Sequence, residues 1–396
     1  MRNVVITDGI RTPFGRMGGG LRQFHTSELL GLAIRGLVEK TGIRERAEID
    51  SVYAGCALAD AHCYNVTRFA SLYAGLPYET SAVFIEMQCG SGIAAINRAA
   101  LSIAAGEIDI AVAGGAESYS QRFAKFSMAT EPYKLIPPTA VVNTLSPVKE
   151  DAISMLEISD RMARLWEVSR EECDEFALRS QQRAARAKAS GFLEQDILPV
   201  EVPVKKGPSV TVGQDEHPRP ETSLEKLSAL PAVNPGGVTT AGNASGRNDG
   251  AAVVLLMAEE TAERLGYRPI ARWLGGADCG VDPKIMGIGP VYSNLKLMRR
   301  FGLGPDDIDV FECNEAFAVQ NLSVIKEMER QTGRKIDQEK WNPNGGAIAF
   351  GHPNGASGGR IALFAMRELQ RREGRYGLFS SCCGGGLGVS SLIERV

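Results

Sequence analysis

Cys89 stands in the stretch EMQCGSGIAAI, where an apolar strand runs into glycines and an apolar-periodic helix follows. A thiol at a helix amino terminus faces unpaired N–H groups and the positive end of the dipole, which favour thiolate and lower its pKa. His352, in GGAIAFGHPNGASGG, occupies a second glycine-rich turn at a second helix start. The other histidines, His25, His62 and His217, stand in mixed or polar segments that predict packing and solvent contact. A thiol and an imidazole brought together make a nucleophile and its base. Two more thiols, Cys382 and Cys383, end an apolar strand in SSCCGGGLG. A disulfide between neighbours is strained, and the spacing of the eight cysteines gives no paired knuckles for a metal. The bare N–H groups of GGGLG suit an oxyanion site, a tight turn or a phosphate loop. Asn314, in ECNEAFAVQ, lies between an apolar strand and a helix start, where it is a polar group of the same site or simply an N-cap.

These residues need elements to hold them. The first 118 residues alternate strand and helix patterns, from NVVITDG and SELLGLAIRGLVEKTG to GIAAINRAALSIAAG and IDIAVAGGAES. Such alternation predicts a mostly parallel α/β sheet. From Tyr119 to about Gly242 the chain changes to Pro-interrupted loops around two helices, one opened by a capping box at Ser169 and Glu172 and stopped at Gly191. The α/β alternation then resumes to the end. CGSGIAAINRAALSIAAGEIDIAVAGGAES and GASGGRIALFAMRELQRREGRYGLFSSCCGGG follow one order of small-residue turn, helix, strand and glycines. An internal duplication accounts for this economically, and facing halves would bring Cys89 to His352.

The 396 residues supply ample core, with 44% hydrophobic and 23% charged residues. A formal charge of -3 offers no footprint for nucleic acid or a membrane surface. No window approaches the length of a bilayer span, and the amino-terminal MRNVVITDG predicts a strand in place of a leader. Eight cysteines without a leader point to a reducing, cytoplasmic setting.

Taken in order, RTPFG, CGSG, GGAES, DEHPRP, TTAGNASGRNDGA, MGIGP, NEAFA, GGAIAFGHPNGASGGR and CCGGGLG resemble the thiolase family along essentially the whole chain. The resemblance implies a five-layered αβαβα fold from two duplicated halves. Residues 1–118, completed by about 243–268, would form one half and 269–396 the other. Residues 119–242 would be an inserted loop domain that holds coenzyme A. It implies a homodimer or homotetramer, and an acyltransferase that cleaves a 3-oxoacyl-CoA through an acyl-cysteine, or runs the reverse Claisen condensation. Coenzyme A is then a co-substrate, with no permanently bound cofactor and no metal.

By motif, Cys89 resembles the acylated nucleophile, His352 its base, and Cys382 the acid/base at the acetyl α-carbon. Asn314 would hold a water that joins His352 in one oxyanion hole. The N–H groups of Cys89 and Gly384 would form the other. Ser245, Met155 and Met286 match positions along the pantetheine channel, Phe317 one beside the acyl end, and Arg219 the nucleotide end. Cys383 falls at a position that the family fills variously and is expected to pack. Two other readings are a thiolase-like subunit active only with a partner protein and a condensing synthase; the second thiol, Cys382, argues against the synthase.

The chain departs from the family pattern at Glu86, Ser154, Leu156, Arg247 and Asn354. These residues predict a more polar pocket, suited to a polar or carboxylated acyl group. A buried unpaired charge is too costly to keep. Glu86 and Arg247 should therefore pair with each other, Arg247 should pair with the substrate, or both should face solvent at the rim.

Overall fold

The computed structural model describes residues 1–128, 131 and 133–396. Residues 129, 130 and 132, inside the Pro-interrupted stretch, lie outside the described residues. The main sheet is built from β1 (Val4–Arg11), β2 (Ser51–Gly55), β3 (Ser81–Ile85), β4 (Ile110–Ser118), β5 (Asn248–Ala258), β6 (Ala271–Gly280), β7 (Val310–Cys313), β8 (Tyr376–Cys383) and β9 (Leu387–Arg395). Its order is β7-β8-β9-β6-β1-β5-β4-β2-β3. From the central β1/β6 pair outward, each side runs antiparallel, antiparallel, then parallel. The two halves therefore share one pairing scheme, as the internal repeat predicts.

The sheet is mixed, not mostly parallel, which corrects the sequence expectation. Only β2/β3, β2/β4 and β7/β8 are parallel. Helical crossovers make those pairs, but β8 and β9 are joined by a tight glycine turn that can only give a hairpin. Gly385 and Gly386 both take φ +86° there.

Every residue of β4 and β5 is buried, because helices cover both faces. Helices α1 (Thr26–Thr41) and α2 (Val66–Tyr73) pack on the outer face of the first half. Helix α3 (Ser91–Ala105) and a later helix, Asn354–Arg372, each touch strands of both halves and so form the middle layer. The intervening α4 (Met155–Leu165) and α5 (Arg170–Ala189) belong to the segment between the halves, and α6 (Gly289–Phe301) and α7 (Ala318–Thr332) close the far side. Asn354–Arg372 is thus α8. The layers read α, β, α, β, α.

Small residues set the spacing of the middle layer. A Cβ on Gly92 of α3 would stand 2.5 Å from the Gly355 carbonyl oxygen, and one on Gly358 would stand 2.4 Å from the Ile93 nitrogen. The two helix starts therefore touch backbone to backbone. Helix α5 opens at Ser169 with its capping box to Glu172 and ends before Gly191, as its sequence predicts. The loop after the short Val210–Val212 strand is anchored by Asp215. Its carboxylate takes two hydrogen bonds from Arg11, at 2.6 and 2.7 Å, and one from the Phe14 N–H. Among the described residues no helix is long and apolar enough to cross a membrane.

Candidate active site

Cys89 lies in a short 3-10 turn, Gln88–Gly90, that leads from β3 into α3. Gln88 is held at φ +48°, a conformation that a non-glycine residue adopts only when its surroundings impose it. Glu86 helps impose it, accepting from the Gln88 N–H at 2.8 Å and from its side-chain amide at 2.6 Å. Glu86 forms no ion pair with Arg247, so of the three readings left open the charge pair between them is the one that is absent. Both are exposed.

The thiol of Cys89 does not rest as thiolate. Burial pushes its pKa up to about 12, and the charge of Glu117 adds to this, against N–H groups of Cys89 and Gly384 directed at the sulfur. The helix-terminus expectation thus had the wrong sign, because loss of hydration outweighs the dipole. His352 is buried and its pKa is pushed down to about 3, by burial first and by the Arg360 guanidinium second. Both groups are neutral at pH 7, and the turn bearing Cys89 packs on the helix that follows His352.

His352 ends the turn before α8. Its N–H reaches the Gly246 carbonyl and Asn248 Oδ1, each at 3.2 Å, which seats it against the segment around Arg247 that leads into β5. Nε2 lies 3.4 Å from Asn314 Nδ2, and Nδ1 lies 2.6 Å from Ser357 Oγ. Ser357 in turn donates to the Pro353 carbonyl at 3.2 Å. A hydroxyl has one proton, so Ser357 accepts from Nδ1–H, and Nε2 is left as the accepting nitrogen, with Asn314 Nδ2–H as a long donor to it. Ser357 escaped the sequence reading, although its position one turn into α8 was a signal. Asn314 is fully buried with Oδ1 unpartnered, and it precedes α7 without capping it, since that helix starts at Ala318.

Cys382 and Cys383 point to opposite faces of β8. Cys382 joins the apolar cluster of Met286, against which Met155 and Phe317 pack. Burial, followed by the charge of Cys89, holds its pKa well above that of an ordinary thiol. Cys383 lies in the other cluster, where a Cβ on Gly90 would meet its sulfur at 2.5 Å. Ser245 and Arg219 line a separate cavity of about 420 Å³ together with Lys226 and His217. His217 was expected to be bland; burial and the adjoining Arg219 push its pKa down to about 4. Ser245 also donates its N–H to the Ala316 carbonyl at 3.0 Å, beside the isolated bridge between Ala244 and Phe317.

Two further residues approach Cys89 without having been singled out. Glu117, at the end of β4, is fully buried and accepts from the N–H groups of Ala57, Leu58 and Gly355 and from the Cys56 thiol. Burial still raises its pKa to about 7. Tyr119 follows two residues later, with its hydroxyl 3.2 Å from Asn354 Oδ1.

Models of the thiolase N-terminal domain and of the thiolase C-terminal domain match residues 4–260 and 267–395. The chain is 44% identical to the 3-oxoadipyl-CoA/3-oxo-5,6-dehydrosuberyl-CoA thiolase of Escherichia coli (strain K12), over 100% of both chains. It resembles the crystal structure of the Bacillus anthracis acetyl-CoA acetyltransferase with a TM-score of 0.92 at 38% identity, over 100% of this chain and 99% of that one. The human mitochondrial 3-ketoacyl-CoA thiolase in complex with CoA gives a TM-score of 0.90 at 36% identity, over 100% and 98%.

Proposed function

Because the chain belongs to the thiolase family, we propose that it cleaves a 3-oxoacyl-CoA with free coenzyme A, or joins two acyl groups in reverse, through an acyl-thioester on Cys89. The observation that carries this assignment is the convergence on one sulfur. The N–H groups of Cys89 and of Gly384, two residues after Cys382, are directed at the Cys89 sulfur, while the turn bearing Cys89 packs on the helix that follows His352.

The neutral thiol gives its proton to His352 Nε2 as sulfur attacks the substrate ketone. The alkoxide then collapses, the bond between the α and β carbons breaks, and its electrons pass to the departing thioester enolate. Donors aimed at such an oxygen are each worth about 3–4 kcal/mol in acyl transfer. Asn314 Oδ1, buried and unpartnered, suits a water whose other proton joins His352 at one oxygen; the N–H groups of Cys89 and Gly384 serve the second. Cys382, held protonated by burial, delivers a proton to the enolate carbon and recovers it from His352. Coenzyme A then attacks acyl-Cys89 and yields its proton to His352, which returns it to the Cys89 sulfur.

We assign residues 119–242 as the loop domain for coenzyme A, completing the division into a first half, 1–118 with about 243–268, and a second, 269–396. The cavity of Ser245, Arg219 and Lys226 supports this, with cations for phosphate and a backbone link to Phe317. Met155, Met286 and Phe317 form the apolar wall toward Cys382. We also propose a homodimer through the edge of β3, supported by an outer side that pairs with no strand among the described residues and by the exposure of Val83. The eight unbridged cysteines suit the reducing cytoplasm.

Intact-protein mass after incubation with 3-oxoacyl-CoA thioesters, without free coenzyme A, tests the core of this proposal. An acyl-sized increment on the wild type that is lost in Cys89→Ala is expected. Persistence of the increment in that variant would sink the assignment.

A further inference from the structure

Three arginines stand on the Tyr119 side of the site. Arg22 and Arg122 line an open cleft with Met17, Tyr119 and Ser120. The Arg247 carbonyl accepts from the Met17 N–H at 3.1 Å, which places Arg247 on the same rim. Among the described residues, none of Arg22, Arg122 and Arg247 has a carboxylate within ion-pair distance, and all three are exposed.

The cleft is coupled to the chemistry through Tyr119. Tyr119 lies within electrostatic reach of both Cys89 and Arg247, and its hydroxyl bonds to Asn354 at 3.2 Å. Arg247 runs as a parallel bridge to His352, so its side chain springs from backbone already fixed against the base. An acyl chain on Cys89 that passes Tyr119 therefore meets a polar hydroxyl and then an unpaired guanidinium. An alkyl terminus gains nothing from that wall, whereas a carboxylate gains a charge-assisted bond with planar complementarity.

Resting on the thiolase reading, we propose that the acyl substrate ends in a carboxylate, that Arg247 receives it with the Tyr119 hydroxyl, which turns its one proton from Asn354 Oδ1 to the carboxylate, and that Arg22 and Arg122 draw it in. Arg247 is then the specificity-determining residue. The remaining cations raise the rate of encounter and make it depend on salt.

The test uses the full-length chain and a pair of 3-oxoacyl-CoA thioesters of equal length, one ending in carboxylate and one in methyl. Binding to Cys89→Ala by titration calorimetry gives the ratio of dissociation constants without turnover. Turnover by the wild type is followed in parallel. The ratio should favour the carboxylate by about 10- to 100-fold, the size of a charged hydrogen bond. It should fall to within about threefold when Arg247→Leu is added, and recover in part with Arg247→Lys. A wild-type-like ratio in the Arg247→Leu background, or no preference at all, overturns the proposal. Absence of turnover with the ratio intact would instead sink the thiolase reading and support the anion site.

Discussion

Removing one hydroxyl should disable the base without touching substrate. Ser357 Oγ lies 2.6 Å from His352 Nδ1 and donates to the Pro353 carbonyl at 3.2 Å, so the relay fixes the proton on Nδ1. Ser357→Ala leaves that N–H buried and unpaired, at a cost of about 1–3 kcal/mol. The imidazole can escape the cost only by moving the proton to Nε2, which abolishes the lone pair that the proposed mechanism uses to accept from Cys89. Either route lowers kcat by about 5- to 150-fold. KM for coenzyme A should stay within about twofold, because the cavity of Ser245 and Arg219 is untouched. Steady-state thiolysis, with single-turnover acylation of Cys89, reads both quantities, and Ser357→Thr should restore most of the rate. A kcat within twofold of wild type in the alanine variant would refute the relay, as would equal losses in alanine and threonine variants.

Alkylation of free Cys89 should climb about tenfold per pH unit from pH 7 to 10, since a pKa near 12 leaves about one part in ten thousand ionised at pH 8; a plateau near pH 7 would show a resting ion pair. Gly358→Ala should destabilise the chain by about 1–3 kcal/mol in urea, because its Cβ meets backbone 2.4 Å away, and wild-type stability would show that the middle helices can part. Asp215→Ala should cost about 3–5 kcal/mol by stranding the buried Arg11, with a smaller added loss in the Arg11→Met double variant; additive losses would deny their coupling. His217→Ala should lose less melting temperature than the wild type as pH drops from 6.5 to 4.5, because His217 binds a proton in the unfolded chain near 6.5 but in the folded chain only near 4. Buried acids such as Glu117 and Glu312, whose pKa values are raised, act with the opposite sign in both proteins and cancel in the comparison. An equal or larger fall in the variant contradicts the assignment.

Much of this was legible from spacing. Glycine turns, helix starts and terminal strand motifs are local, so Cys89, His352 and the glycines after Cys382 announced themselves, as did the repeat behind the shared pairing scheme. Sheet direction was not legible, because the partner of a strand is chosen by packing far along the chain: β5 pairs with both β1 and β4 across long separations. The resting state of Cys89 was misread for a similar reason. A dipole is visible in sequence, whereas desolvation and the buried Glu117 are products of tertiary structure. Ser357, Glu117 and Tyr119 carry no distinctive spacing, and only the fold shows that they converge on Cys89 and His352.

The matched pairing of the two halves bears on how such a site can arise. Two identical half-chains related by an axis through the β1/β6 seam would carry the same residue at both glycine turns, because symmetry copies every side chain. Such an assembly could hold two thiols or two imidazoles there, never one of each. Joining the halves in a single polypeptide breaks that equivalence. It lets Cys89 and His352 occupy related turns with different chemistry, and it leaves one side of the molecule, around Arg247 and Tyr119, free to specialise alone.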